Sequence, residues 1–379
     1  MARAEIVVDL DAVRDNVSAL RERFGRPLLA VVKADAYGHG LLPCSRAALD
    51  GGADMLGVAV VDEALALRAA GITAPILAWL AVPGDRITEA VEAGIEVSVN
   101  ADWALQEVAA AAQATGRTAR VHLKVDTGLS RAGATMADWP DLLGAADKAR
   151  SSGEVDVVAL WSHFVYADAP GHPTIAAQLR VFDEAVQLAA RAGLSDVSTH
   201  LANSAATLTL PEAWRDLVRP GIACYGLDPL GGDPATYGLR PAMTVRAEVA
   251  LVKRVPAGTG VSYGHRHVTD RETTLALVPV GYADGIPRDA SGVGPLWLAG
   301  ARRRITGTVC MDQFVVDVGD DPVRAGDEVL LWGPGGHGEP TVQDWASALG
   351  TIHYELVSRV GGRMARRWVG GHDAEDAHR

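Results

Sequence analysis

The feature that most constrains this chain is a repeated unit: a short apolar run, a turn, then a stretch with alanine and leucine on one helical face and charge on the other. The runs cover residues 28–33, 55–60, 75–80, 95–100, 119–126, 155–163, 196–203 and 217–226. The first of them, β-branched and bounded by Pro27 and a Gly-His-Gly turn, reads as a buried parallel strand. Several helical stretches stop at a glycine, at Gly25, Gly71, Gly94, Gly116, Gly153 and Gly193, where a left-handed C-terminal residue belongs. Eight strand and helix units within about 230 residues are the arithmetic of a (β/α)8 TIM barrel. The α/β barrel is expected over residues 1–239.

From residue 240 the pattern changes. Runs at 244–255, 272–281, 295–318 and 327–332 partly alternate and are separated by Gly, Pro and Asp turns, with one helical stretch at 341–349. A mostly β C-terminal domain is expected over 240–370, followed by a polar, disordered tail at 371–379.

Composition removes several classes of function. A formal net charge of -12 argues against nucleic acid or an anionic membrane as the main partner, since both call for a basic patch. No apolar run approaches the ~20 residues of a membrane span, and the N-terminus lacks a signal-peptide core. Cys44, Cys224 and Cys310 are odd in number and widely spaced, which fits a reducing compartment and no zinc pattern. His265 and His267 lack nearby acidic or thiol partners and read as a solvated turn; no metal is expected. These features predict a soluble, cytoplasmic protein.

Lysine is scarce here and stands only at 33, 124, 148 and 253. Arginine cannot lose its proton in a protein, whereas a desolvated lysine can become a neutral amine and form a Schiff base with an aldehyde such as pyridoxal phosphate. Lys33 ends the first strand. Lys124 with Asp126, His163, His200 with Asn203 and Ser204, and Arg219 likewise fall at or just beyond strand C-termini, the face where barrel enzymes place their chemistry. Each also fits a bland role: a rim salt bridge for Lys124 and Asp126, a hydrogen-bonded core histidine for His163 or His200, a helix cap for Arg219. Five strand ends sharing the pattern make a joint accident improbable.

The residues resemble a known family. Residues 30–40 (AVVKADAYGHG), 124–133 (KVDTGLSRAG), 200–206 (HLANSAA), 219–222 (RPGI), 262–264 (SYG), 281–285 (GYADG) and 310–313 (CMDQ) look like the motif set of bacterial alanine racemases. The resemblance spans both domains, and the motifs gain specificity from their order and spacing. It implies a pyridoxal phosphate enzyme with an N-terminal barrel, a C-terminal β domain, and a head-to-tail homodimer whose sites draw on both subunits. A small amino acid would be the substrate, and D-alanine for peptidoglycan the product.

By the same resemblance Lys33 holds the cofactor and serves as base on one face of the substrate. Tyr263 from the partner chain serves the other face. A phenol has an unperturbed pKa of about 10, so it needs cations nearby, and Arg219 and His200 look like that network. Arg219 would also face the pyridine nitrogen, to which a guanidinium can only donate; decarboxylases of this fold type place an acidic residue there. Cofactor binding would further involve Tyr37, Asn203, Ser204, Tyr354 and the backbone of Gly221 and Ile222, with His163 packed on the ring. Arg131 and Met311 would hold the substrate carboxylate. Lys124, which in many relatives is carbamylated to steer that arginine, would support the site together with Asp312.

Two departures stand out. Thr308 replaces an arginine that many relatives carry at the substrate entrance, opposite the acidic residue matching Asp168, which predicts a wider, more negative path to the cofactor. The stretch 360–363 (VGGR) departs from the usual Arg-Val-Pro-Arg ending and is expected to alter only a surface turn. Three functions stay open: an alanine racemase; a racemase of another small amino acid such as serine, or a decarboxylase-like relative; and a non-catalytic pyridoxal phosphate carrier related to the barrel alone.

Overall fold

In the computed structural model, which describes residues 3–371, the chain divides into two units. One comprises Val13–Ala36 and Gly40–Leu239, and the other the described parts of Met1–Ala12, Tyr37–His39 and Arg240–Arg379. Residues 372–379 of the expected tail lie outside the described residues. The first strand, β1 (Ala4–Asp9), belongs to the second unit.

The first unit is the barrel. Strands β2 (Leu29–Val31), β3 (Met55–Val58), β4 (Ile76–Ala78), β5 (Glu96–Val99), β6 (Ala119–Lys124), β7 (Val155–Trp161) and β8 (Ser198–His200) pair in chain order. Every pairing is parallel. Parallel bridges from His200 to Leu217 and from Val218 to Leu28 close the ring. The eighth strand, expected over 217–226, therefore ends after two residues. Pro220 has no N–H to extend a ladder, and Ile222–Tyr225 winds into a 3-10 turn.

Helices cover the outside. Gly25, Gly71, Gly94, Gly116, Gly153 and Gly193 all take positive φ, between 56° and 88°. A Cβ at the first five would meet nothing within 4 Å, so backbone conformation rather than space demands glycine there. Trp139 and Phe182 are wholly buried in this outer layer, and the Trp139 indole donates to Ala185 O at 3.0 Å. The strands, by contrast, bury Glu96, Ser98, His122, Lys124 and His200, and such polar groups persist in a core only when partnered.

The second unit is built on strands. These are β9 (Met243–Glu248), β10 (Leu251–Val255), β11 (Gly260–Val261), β12 (His267–Val268), β13 (Thr273–Val278), β14 (Pro295–Leu298), β15 (Ala301–Thr306), β16 (Phe314–Gly319), β17 (Glu328–Trp332) and β18 (Ala365–Val369). Nine strands form one sheet in the order β10-β13-β16-β15-β14-β17-β9-β1-β18. Within it β1 lies antiparallel to β9 and parallel to β18. Residues 4–9, grouped with the barrel on sequence grounds, thus contribute the strand next to the edge strand β18 here, because strand partners are chosen by contacts remote in sequence. The expected helix appears as Val342–Leu349, capped by Thr341, whose hydroxyl accepts from Asp344 N at 3.1 Å. A second short helix, His353–Arg359, follows it.

Candidate active site

Lys33 opens the turn Lys33–Gly38, in which Ala34, Asp35, Ala36 and Tyr37 all have φ of 53° to 54°. This is a left-handed helical turn. Each L-residue in it costs about 1–2 kcal/mol relative to the right-handed form, so surrounding bonds must hold it. Ala34 N donates to Glu63 Oε1 at 2.6 Å, and Leu41 N donates to Asp35 Oδ1 at 2.7 Å. The other Glu63 oxygen accepts from Ala59 N and Val60 N, which ties the turn to the end of β3.

Around this turn the barrel strand ends converge. The half-buried Lys33 amine lies 5.9 Å from the centre of the Trp79 ring. Burial lowers its pKa, the Arg131 charge lowers it further, and Glu63 opposes both. Lys124, at the end of β6, sits 4.1 Å from the Trp161 ring centre. Burial, then Arg219 and Arg131, push its pKa down to about 8. Asp126 does not simply pair with it at the rim: its carboxylate accepts from Gly128 N at 2.9 Å and Ser130 N at 3.1 Å, shaping the loop that presents Arg131.

Arg219 is buried and donates to Ser162 O at 3.0 Å and Leu201 O at 3.3 Å. Its Nη1 lies 2.9 Å from His200 Nδ1. Burial lowers its pKa to about 9, so it remains charged at neutral pH. His200 stacks on Trp161, ring centres 5.6 Å apart at 14°. Burial and then Arg219 hold it well below the ordinary imidazole value. His163 is held low in the same way, by burial and then by Arg219, Arg131, Lys124 and Lys33. Ser204 Oγ accepts from Gly221 N at 2.7 Å and Ala223 N at 3.3 Å, drawing the start of the Ile222–Tyr225 turn to the end of β8. Asn203 caps the helix Ser204–Thr209 through Ala206 N at 3.0 Å.

Sequence reasoning missed several supports of this cluster. Gln178, buried on the helix Pro173–Arg191, donates to both Thr127 Oγ1 and His163 O at 3.0 Å and so joins the Arg131 loop to the His163 segment. Glu63 pins the left-handed turn, while Glu96 and His122 stand behind His200. The signal for the last two was available: a glutamate and a histidine stand at buried positions of two barrel strands, EVSV and ARVHLK.

The second unit carries the remaining expected residues. Tyr37 and Tyr354 face each other with ring centres 6.1 Å apart. Gly38 could bear no side chain, since a Cβ would lie 2.1 Å from Val357 O. Tyr263 begins a 3-10 turn after Ser262, which has φ of 61°, and its side chain is 74% exposed. Thr308, expected to widen an entrance, is buried, and its hydroxyl donates to Tyr263 O at 2.8 Å. Ser262 Oγ donates to Thr308 O at 2.7 Å, so the two residues clasp the Tyr263 turn.

Met311 is also exposed, and its segment is fixed by Tyr282 N donating to Cys310 O at 3.1 Å and Ala283 N to Met311 O at 2.9 Å. Asp312 accepts from Arg363 Nη1 at 2.6 Å, and the same guanidinium forks onto buried Asp284 at 2.9 and 3.0 Å. Burial would raise the Asp284 carboxyl, but Arg363 and the Gly281 N–H hold it below its usual value. Gly362, with φ of 60°, brings the chain close to Ala283 O, which a Cβ would approach to 2.5 Å. The 360–363 stretch, expected to alter only a surface turn, thus braces the Met311 segment.

The barrel residues gather a specific electrostatic character. Lys33, Lys124, Arg131 and Arg219 all act on His163, and this cationic ring around a neutral imidazole suits an anionic ligand with a carbonyl that a depressed lysine can attack. Models of the alanine racemase N-terminal and C-terminal domains match residues 8–229 and 242–368. The chain belongs to the alanine racemase family. An alanine racemase of Frankia casuarinae is 62% identical over 370 residues, covering 97% of this chain and 96% of that protein. The crystal structure of alanine racemase from D-cycloserine producing Streptomyces lavendulae superposes with a TM-score of 0.97 at 56% identity, covering 98% of each chain. The enzyme from Bartonella henselae, solved with covalently bound pyridoxal phosphate, gives a TM-score of 0.87 at 28% identity, covering 97% of this chain and all of that one. Among the described residues no helix is long and apolar enough to cross a membrane, and no group of three or more His, Cys, Asp or Glu is placed to hold a metal ion.

Proposed function

We propose that this chain interconverts L-alanine and D-alanine with pyridoxal phosphate bound at the barrel's strand ends, supplying D-alanine for peptidoglycan. The observation that carries the reading is the depressed, half-buried Lys33 amine beside the cationic group of Lys124, Arg131 and Arg219. When bound, pyridoxal phosphate delocalises the electron pair left when an amino acid loses its α-proton. Lys33 would anchor it, and its lowered pKa suits a group that takes up and returns that proton near neutral pH. Arg219 would meet the ring nitrogen, where a guanidinium can donate but not give up its proton. Tyr37, Ser204, Tyr354 and the backbone amides of Gly221 and Ile222 would hold the phosphate end, Asn203 would also serve cofactor binding, and His163 would pack on the ring. Arg131, steered by Lys124, would hold the substrate carboxylate.

Inversion needs a second proton carrier on the opposite face, and we assign that role to Tyr263 of the partner subunit in a homodimer, with Met311 of the partner subunit at the substrate carboxylate and Asp312 supporting it. What supports this is the exposure of both side chains on a backbone that is tightly clasped. The three free cysteines, two of them buried, support a cytoplasmic setting. A carrier built on the barrel alone is not favoured, because the C-terminal family model matches residues 242–368.

The test is a chiral assay of the purified protein across a panel of L-amino acids, run beside Lys33→Ala. D-alanine should accumulate to equality with L-alanine in the native protein, and Lys33→Ala should retain no borohydride-fixed cofactor on the chain. Racemisation confined to another amino acid, or a fixed adduct surviving in Lys33→Ala, would overturn the reading.

A further inference from the structure

Behind Arg219 a line of buried polar groups runs through the barrel, and most of it has no part in the chemistry above. His200 Nε2 lies 2.8 Å from His122 Nδ1, and His122 Nε2 lies 2.7 Å from Glu96 Oε2. Glu96 Oε1 accepts from Arg120 Nε at 2.8 Å. His122, His200, Glu96 and Arg219 are all at most 4% exposed, and the Trp161 indole, stacked on His200, is itself fixed by donating to Ser98 Oγ at 2.9 Å.

The chemistry of the two ends gives this line a direction. A carboxylate can only accept and a guanidinium can only donate. Glu96 therefore requires N–H at His122 Nε2, and His122 Nδ1, which faces His200 Nε2, presents its lone pair because His200 must keep Nδ1 open to the Arg219 donor. That lone pair takes the N–H of His200 Nε2, and His200 Nδ1 is left free to accept from Arg219. Every group donates toward Glu96. The opposite His200 tautomer would set an N–H against the Arg219 N–H in a site closed to water. His200 is held neutral by burial and by Arg219, so its tautomer, rather than a charge, is the quantity that must be set.

We propose that Glu96 and His122 are positioning residues that fix His200 as its Nε2–H tautomer and thereby hold the Arg219 guanidinium in place for the reaction. The link to turnover rests on the reading of Arg219 as the partner of the cofactor ring; the tautomer assignment does not.

Arg120 makes the inference sharply testable. In Glu96→Gln the amide oxygen would stay with Arg120, turning the amide N–H2 toward His122 Nε2. That reverses the line and drives His200 to the Nδ1–H form. Adding Arg120→Ala frees the amide to rotate, so its oxygen can again accept from His122. The readout is the nitrogen chemical shifts of His200 in 15N-histidine holoenzyme, together with kcat and KM for alanine.

The native enzyme should show Nε2–H alone. Glu96→Gln should show a majority of the Nδ1–H form and a fall in kcat of about tenfold to a hundredfold, the scale of a lost hydrogen bond to a charged group, with KM little changed. The double variant should recover both. A native Nε2–H form persisting in Glu96→Gln overturns the proposal, as does a double variant that recovers neither. A tautomer change with unaltered kcat overturns the link to turnover, whereas a native protein that does not racemise alanine overturns the proposed function and leaves the tautomer result standing. Should Glu96→Gln not fold, His122→Leu against His122→Gln makes the same comparison: the Gln amide can donate to Glu96 and accept from His200, the Leu side chain can do neither, and equal His200 shifts in the two would overturn the proposal.

Discussion

His163 and His200 show how a cationic barrel end taxes the residues that build it. Burial and the neighbouring cations hold both imidazoles neutral, well below the ordinary value, while in the unfolded chain a histidine titrates near 6.5. As pH falls below about 6.5 the unfolded state therefore binds protons that the native state refuses, and stability drops. Above that pH neither state gains a proton at these sites and the contribution is constant. Urea unfolding midpoints measured from pH 7.5 to 5.5 should decline, and the decline should be shallower in His163→Gln. An equal slope in that variant would remove His163 as a contributor.

At the scale of elements, the left-handed turn Lys33–Gly38 is the costliest piece of backbone near the site. Ala34 is exposed and has φ of 53°, so glycine there relieves strain of about 1–2 kcal/mol and loses part of it to the freer unfolded chain. Ala34→Gly should raise stability by up to about 1 kcal/mol. Gly38→Ala should instead lower it by about 2–3 kcal/mol or more, since the new Cβ would lie 2.1 Å from the Val357 carbonyl at a φ of 79°. Chemical denaturation of the two variants beside the native protein checks both signs. The same turn explains why Lys33 was legible as a strand-end lysine while its presentation was not: nothing in ADAY announces four successive positive φ angles, and no glycine occurs between Lys33 and Gly38.

For the whole molecule, the proposed dimer makes a quantitative demand. A chain with Lys33→Ala and a chain with Tyr263→Phe should each be inactive, yet a heterodimer of the two holds one site with both native residues. After full exchange of an equal mixture, half the dimers are mixed and each has one of its two sites intact, so about a quarter of native activity should return. No recovery after verified exchange would mean that each site is complete within one chain. The sequence by itself determined the recurring strand and helix units, the left-handed glycines that end the helices, and the strand-end positions of Lys33, Lys124, His163, His200 and Arg219, because these follow from local periodicity and from where polar residues interrupt it. Only the tertiary structure decided that residues 4–9 join the nine-stranded sheet, that Arg363 bridges Asp284 and Asp312, that Thr308 clasps the Tyr263 turn, and that Glu96, His122 and His200 line up behind Arg219. Each of these is a pairing between groups far apart along the chain, and a hydrogen bond at 3 Å depends on where both partners end up, which no local pattern encodes.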